Sequence, residues 1–482
     1  MIHSPIMDLT EDIQRCLADL AALHVFAGLR SKPLMETFGD LLETALSASA
    51  DLNHAKNGRI KPEHSVRFDS ALKFSKAWSA FTGSFIAAQT PVSAGRGSFY
   101  TVLAEMTLYD ENAFTLAVEK DPVSLPRFLR TAAAADLNRL GNIAAFDFSA
   151  LGFRGAEILR ACGLGEASRR MEAEARAFWA ADSEESVHSV FPRGDSWETV
   201  MPKLAEHIRH SGAGDLGRYH SFIWSGNRRD IPLRPVPGPD PVSLSDLSGY
   251  EDQRKMVLDN TLRLLNGKPA NNLLLYGDRG TGKSATVKAV ANDLKDRGLR
   301  LLELRKNDLG DLPRIMETLS RRPLPFIIFI DDLSFESSGD SFTDLKALLE
   351  GGIEKQPSNT AVYATSNRRH LVKERPGDRP GPGAAENGDI RSFDTMQEQI
   401  SLADRFGLTV IYISPNQDEY LSIAEFIARK RGLLSGGAEE LQCFRENALR
   451  WERWFNGRSP RTAVQYVDWL SGSGGDNRFP WD

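Results

Sequence analysis

The residues Gly277-Asp278-Arg279-Gly280-Thr281-Gly282-Lys283-Ser284, followed by Ala285, carry the spacing G-x-x-x-x-G-K-[ST]. Glycines at such positions let the chain curl until successive backbone N–H groups point at phosphate oxygens, and a following helix adds partial positive charge. Lys283, expected as a solvent-facing charge, would reach the β- and γ-phosphates, and the Ser284 hydroxyl would ligate Mg²⁺. A nucleoside triphosphate also needs a carboxylate for its metal, and Asp331-Asp332 follows directly on the apolar run Phe326–Ile330. Asp331, at the carboxyl end of a strand, would hold Mg²⁺ through water. Asp332 would polarise an attacking water as general base. The chemistry expected of this set is phosphoryl transfer to water.

Such a loop works only between a buried strand and a helix. Residues 273–276 are apolar, and Val287, Val290, Ala291 and Leu294 recur at helical spacing beyond the loop. Further apolar runs at 299–304, 326–330, 361–365 and 408–413 alternate with helical patterns, among them Leu345, Leu348, Leu349 and Ile353. This alternation predicts a parallel sheet covered on both faces. The Pro/Gly-rich stretch 374–388 predicts a mobile loop. Helices are predicted after the last strand at 417–431, 439–455 and 460–470, then a disordered tail over 472–482.

Upstream, residues 1–230 predict a mostly helical N-terminal domain. Ile13, Leu17, Leu20 and Leu23 recur at helical spacing, as do Leu137 and Leu140, and no strand alternation is evident up to Ser225. His207 and His210, a helical turn apart, and His220 have no cysteine or clear fourth ligand beside them, and they read as solvated or structural. Five prolines within 231–244 cannot continue a helix or enter a central strand, so 231–246 predicts a linker. A chain of 482 residues with 41% apolar and 26% charged residues is expected to form two or three domains. It shows no bilayer-spanning run and no secretory signal at its start. Cys16, Cys162 and Cys443 are isolated, which suits a reducing cytoplasm. A net charge of −6 provides no global attraction to nucleic acid.

The motif set resembles the AAA+ ATPase superfamily from Leu247 to about Leu470. The resemblance implies an αβα P-loop core over 247–414 and a small helical lid over 415–471. Leu247-Ser-Gly-Tyr-Glu-Asp-Gln253 is similar to the family's adenine-contacting segment. Ala361-Val-Tyr-Ala-Thr-Ser-Asn367 is similar to sensor 1, which makes Asn367 a γ-phosphate residue. Asp404-Arg405-Phe406-Gly407 resembles the box that presents an arginine finger to a neighbouring subunit, although Arg405 could instead bridge Asp404 or Glu398. Ser459-Pro460-Arg461 resembles the start of the sensor 2 helix, with Arg461 on the nucleotide and Arg458 as competitor. More narrowly, Tyr276–Ser284, Asp331–Phe335, Ala364–Leu371 and Ser401–Leu408 resemble a bacterial ATP-binding family catalogued as a domain of unknown function.

Two departures from the superfamily pattern stand out. Asp331-Asp332 replaces the usual Asp-Glu, as in replication initiators and helicase loaders, which implies slow hydrolysis. Lys306-Asn-Asp-Leu-Gly-Asp311 lacks the aromatic residue with which unfoldases grip a threaded polypeptide. The function implied is an ATP- and Mg²⁺-dependent ATPase that assembles as a ring or filament and acts on a protein partner through its N-terminal domain. The alternatives are a slow nucleotide-gated switch and a DNA-associated loader. The acidic balance and the lack of a helix-turn-helix signature count against the loader. No membrane partner is expected.

Overall fold

The computed structural model describes residues 5–56, 68–88, 98–177, 189–191, 196–226, 232–333, 356–367, 405–435, 437–455 and 457–472. The chain divides into two units, Met1–Arg218 and Tyr219–Asp482. The helical pattern at 345–353, the Pro/Gly-rich stretch 374–388, Asp404, Glu398 and the tail 473–482 lie outside the described residues.

The first unit is helical where described: α1 (Pro5–Ala21), α2 (Pro33–Lys56), α3 (Phe68–Ala88), α4 (Phe99–Leu108), α5 (Ala113–Lys120), α6 (Arg127–Ala144), α7 (Phe148–Ala161), α8 (Gly165–Ala177), α9 (Met201–Ser211) and α10 (Asp215–Arg218). Its core is aromatic. Phe38 of α2, Phe81 of α3 and Phe99 of α4 meet Phe148 of α7 with ring centroids 4.8 to 5.7 Å apart. Asp136 of α6 is fully buried, a position that costs several kcal/mol unless the charge is satisfied. It accepts the backbone N–H groups of His24, Val25 and Phe26 at 2.8, 2.7 and 3.1 Å and pairs with Arg139 at 2.8 Å. His210 is turned to the Glu206 carbonyl and His207 packs edge-on against Tyr109. Among the described residues no helix is long and apolar enough to cross a membrane.

The second unit is built on a seven-stranded sheet of β1 (Ser221–Trp224), β2 (Leu233–Pro235), β3 (Leu273–Gly277), β4 (Arg300–Glu303), β5 (Phe326–Ile330), β6 (Thr360–Asn367) and β7 (Leu408–Tyr412). The order is β2-β1-β4-β5-β6-β3-β7, and every pairing except β1 with β2 is parallel. The all-apolar β5 is buried along its whole length, as a central parallel strand must be. Among the described residues its helices are α11 (Glu251–Leu265), α12 (Lys283–Asp293) and α13 (Leu312–Ser320), followed by α14 (Gln417–Lys430), α15 (Ala438–Trp454) and α16 (Pro460–Gly472). The last three enclose their own core, in which Tyr420 and Tyr466 donate to the carbonyls of Ala448 and Phe444.

The expected domain boundary is corrected. The units part between Arg218 and Tyr219, and both β1 and β2 belong to the sheet. At four residues β1 is too short to show alternation in sequence. Strand β2 tolerates its proline because, among the described residues, it pairs on one side only. Residues 240–244 are not a free linker either. Asn292 donates to the carbonyls of Asp240 and Val242 at 2.7 Å each, and Leu244 N–H donates to Asp293.

Candidate functional site

Parallel strands bring their carboxyl ends to one edge, and the register decides which residues meet there. Gly277, the last residue of β3, is paired with Asn367 of β6, and Ile330 of β5 is paired with Ala364. The glycine loop, the sensor-like asparagine and the aspartate pair therefore share a crevice where the strand order reverses direction. Gly277 has φ 145°, and a Cβ there would lie 1.8 Å from the Tyr412 carbonyl oxygen, so no other residue fits. At Gly280, a Cβ would lie 2.9 Å from Ser459 Oγ and 3.1 Å from Arg461 Cβ, because the start of α16 presses on the loop.

Lys283 is only 6% exposed, which corrects the expectation of a solvent-facing charge. Its ammonium donates to the carbonyls of Gly277 and Asp278 at 3.0 and 2.7 Å and to Asn367 Oδ1 at 3.3 Å. The curled carbonyls of the loop need a donor, and the lysine of the same loop supplies it. Burial brings the Lys283 pKa down to about 8, against the pull of Asp278, Asp331 and Asp332 and with the repulsion of Arg461. Thr281 closes the loop onto the Asp278 carbonyl at 2.8 Å. The Asp278 carboxylate accepts the Ser414 N–H and hydroxyl, both at 2.9 Å. Arg279 is exposed, and Ala285 sits half-buried in the first turn of α12.

Three hydroxyl and amide contacts organise the carboxylates. Ser284 Oγ and Thr365 Oγ1 each donate to Asp331 Oδ1 at 2.6 Å. Thr365 Oγ1 also accepts the Asp332 N–H at 2.8 Å. Asp332 is held with φ 52°, a left-handed conformation uncommon for a residue with a side chain. Its Oδ1 accepts from Asn367 Nδ2, and its Oδ2 lies 3.7 Å from Lys306 Nζ. Thr365 and Lys306 were not anticipated as site residues. Thr365 carries a legible signal, since residues i and i+2 of a strand share a face and Thr365 stands two before Asn367. The hydroxyl of Ser284 and the carboxylate of Asp331 are hard oxygen donors side by side at the start of a helix, a set that fits Mg²⁺.

The arginines separate. Arg461 N–H donates to the Gly280 carbonyl at 3.1 Å, and its charge is near enough to disfavour that of Lys283. Arg458 turns away to Glu452 at 3.2 Å. Arg405 precedes β7, in which Leu408 is level with Leu273 and Tyr412 with Gly277. Four strand steps, about 13 Å, thus separate Leu408 from the level of the loop, with Arg405 farther still, at the opposite end of the sheet. The structure does not bring Arg405 to the cradle of its own chain, and its Nη1 is buried.

Beside the loop, a cavity of about 320 Å³ opens between core and lid, lined by Gly249, Tyr250, Thr281, Tyr412, Ile423 and Val464 among others. Tyr250 donates to the Ile413 carbonyl at 2.7 Å and packs 5.1 Å from the Tyr412 ring. Tyr412 in turn bonds Thr286 at 3.1 Å, and burial pushes its hydroxyl up to about 12. At the margin Lys430 bonds Asp246, holding that carboxylate down at about 2. The cavity is large enough for a purine and ribose and meets the loop at Thr281 and Gly282.

A family model described as "Protein of unknown function (DUF815)" matches residues 217–474, more than half of the chain. The chain is 35% identical over 115 residues to the 26S proteasome regulatory subunit 6B homolog of Schizosaccharomyces pombe, covering 21% of this chain and 29% of that protein. It is 26% identical over 230 residues to the Encephalitozoon cuniculi 26S proteasome regulatory subunit 6B homolog, covering 40% and 58%. Proteasome-activating nucleotidase 1 of Haloferax volcanii is 27% identical over 209 residues, covering 39% and 47%. The chain spans less than two thirds of the length of each. Among solved structures, the Thermotoga maritima RuvB Holliday junction branch migration motor is 18% identical over 49% of this chain and 67% of that one, with a TM-score of 0.32. The chain belongs to the DUF815 family, and the matched region is an AAA+ type P-loop core with its helical lid.

Proposed function

We propose that the protein is an ATP-hydrolysing AAA+ ATPase that couples nucleotide state to action on a macromolecular partner. The observation that carries this reading is the convergence of Lys283, Ser284, Asp331, Asp332 and Asn367 on one crevice beside a base-sized cavity. On binding, the β- and γ-phosphates would take over the Lys283 donors now spent on the loop carbonyls. Mg²⁺ held by Ser284 and Asp331 would supply positive charge to the phosphate oxygens. Asp332 would accept the proton of the attacking water, with Asn367 orienting that carboxylate and reporting on the γ-phosphate. Arg461 adds charge from the lid, so that lid and core close on one nucleotide.

Arg405, on the far end of the sheet from its own cradle, suits a neighbour's site, which requires a ring or filament of copies. The N-terminal unit would meet a protein partner. The curated relatives are named for the proteasome, which supports a polypeptide as that partner. The segment Lys306–Asp311 still lacks the aromatic grip for threading. Steady-state ATP turnover by the full chain, with Lys283→Ala as control, tests the reading. Nucleotide binding with no turnover above that control would overturn hydrolysis.

A slow, nucleotide-gated switch is the second reading. Both oxygens of Asp332 face nitrogen donors, Asn367 and Lys306, and these contacts favour a base that is held back and turns over slowly.

A further inference from the structure

Arg254 stands one turn into α11 and borders the cavity beside the phosphate loop, together with Tyr250, Thr281, Thr286 and Tyr412. Its side chain is 14% exposed. Nη2 donates to Glu251 Oε1 at 3.0 Å. Nη1 is buried and meets no acceptor among the described residues. A guanidinium carries only donors, and a buried donor without a partner is costly. The Glu251 carboxylate that holds the other arm of the fork is 74% exposed, and ion pairs of that kind are weak. Such a contact lets the fork turn toward the cavity.

We infer that Arg254 is a nucleotide-binding residue whose guanidinium donates to N7 of a purine seated in the cavity. This rests on the proposed reading, in which the loop takes the phosphates and the cavity takes the base. Position selects the atom. The Tyr412 hydroxyl bonds Thr286 at 3.1 Å, and Thr286 lies two residues past Ser284 in the helix that follows the loop. Burial pushes the Tyr412 hydroxyl up, while the Thr286 bond and the nearby Arg254 charge pull it down. Arg254 therefore stands at the loop end of the cavity, whereas Lys430 and Asp246 stand at its margin. In a purine nucleotide with its base turned away from the ribose, N7 is the ring acceptor nearest the 5′-phosphate. N1 points to the far edge, and N3 lies over the sugar. Adenine and guanine both carry N7 as an acceptor, and a pyrimidine has no ring atom there. The amino group beside N7 of adenine is itself a donor, so the fork reaches N7 alone, whereas O6 of guanine can accept a second bond. Arg254 thus reads purines as a class, and the choice between adenine and guanine falls to other groups.

The test is calorimetry on the full chain with ATP and with 7-deaza-ATP, in which a C–H group replaces N7, with chelator present to prevent turnover. Wild type should bind 7-deaza-ATP about tenfold more weakly than ATP, the scale of one hydrogen bond to a charged group. This comparison changes the ligand and leaves the protein intact, so it holds whether or not a variant folds. Arg254→Met should bind ATP about as weakly as wild type binds 7-deaza-ATP and should not distinguish the two ligands. Arg254→Gln, polar but uncharged, repeats the comparison in a second background and should also lose most of the distinction. Equal affinity of wild type for both ligands overturns the N7 contact while nucleotide binding stands. A tenfold penalty that persists in the variants, with both affinities lowered alike, makes the arginine structural and overturns its role. Binding of neither nucleotide to wild type overturns the nucleotide reading, and the inference with it.

Discussion

Ser284 donates its hydroxyl to Asp331 at 2.6 Å, which joins the first turn of the helix after the loop to the end of a strand two positions away in the sheet. Removing the hydroxyl should disturb metal dependence more than nucleotide affinity. Ser284→Ala is expected to raise the Mg²⁺ concentration needed for half-maximal ATP turnover by about tenfold, in line with losing one contact to a charged group. ATP affinity measured without Mg²⁺ should stay near wild type. A metal titration of turnover, paired with calorimetry in chelator, checks both halves.

The depressed lysine makes nucleotide binding pH-dependent. Burial, the chief cause, holds the Lys283 pKa down at about 8 against an ordinary 10.5. Between these values the unfolded chain binds more protons than the folded one, so this group's contribution to stability grows as pH rises through the window and is lost as pH falls through about 8. Phosphate oxygens favour the charged lysine. ATP binding should therefore take up a proton above pH 8 and weaken as pH rises further. Calorimetry in buffers of different ionisation enthalpy reads the proton count directly, and equal heats across buffers at pH 8.5 would refute it.

Asp332→Asn should bind ATP with affinity close to wild type and lose turnover by about a hundredfold or more, since an amide accepts no proton. Its amide oxygen can still receive the Asn367 hydrogen bond, so thermal stability should change little. Turnover equal to wild type would move the base elsewhere. Glu336, the next carboxylate in sequence, lies outside the described residues.

Arg405→Ala should bind ATP normally and lose turnover, because its charge would meet a γ-phosphate only across a subunit boundary. Arginine fingers are worth roughly 10³–10⁵ in rate. Mixing Arg405→Ala with Lys283→Ala should restore part of the activity, since only mixed assemblies pair an intact cradle with an intact finger. A dead mixture that co-assembles by light scattering would make Arg405 structural. Lys283→Ala alone should also lower the stability of the free protein, because the carbonyls of Gly277 and Asp278 lose their donor.

The glycine loop and the aspartate pair are legible in the sequence because each is a local pattern, a turn or a strand end, whose chemistry follows from adjacent residues. Asn367 needs one further step, the family resemblance, and the register of β6 on β3 then puts it beside Gly277. Lys306 is different in kind. Its approach to Asp332 depends on β4 lying next to β5, a property of strand order that no run of residues encodes. Arg461 and Arg458 are equivalent by spacing, and only the packing of α16 on Gly280 tells them apart. The boundary expected at 231–246 fails for a related reason, since prolines mark where a strand has one neighbour as readily as where a domain ends.

That outer strand has a practical side. An uncovered parallel strand is a template on which a second molecule can add its own backbone, and proteins commonly blunt such edges with short strands and prolines. Strand β2, three residues ending in Pro235, stands in that place here. A chain cut at residue 247 would discard β1 and β2 and leave Arg300–Glu303 as a raw edge beside the buried β5. It should aggregate during refolding, whereas a chain cut at Tyr219 should remain dispersed at the same concentration.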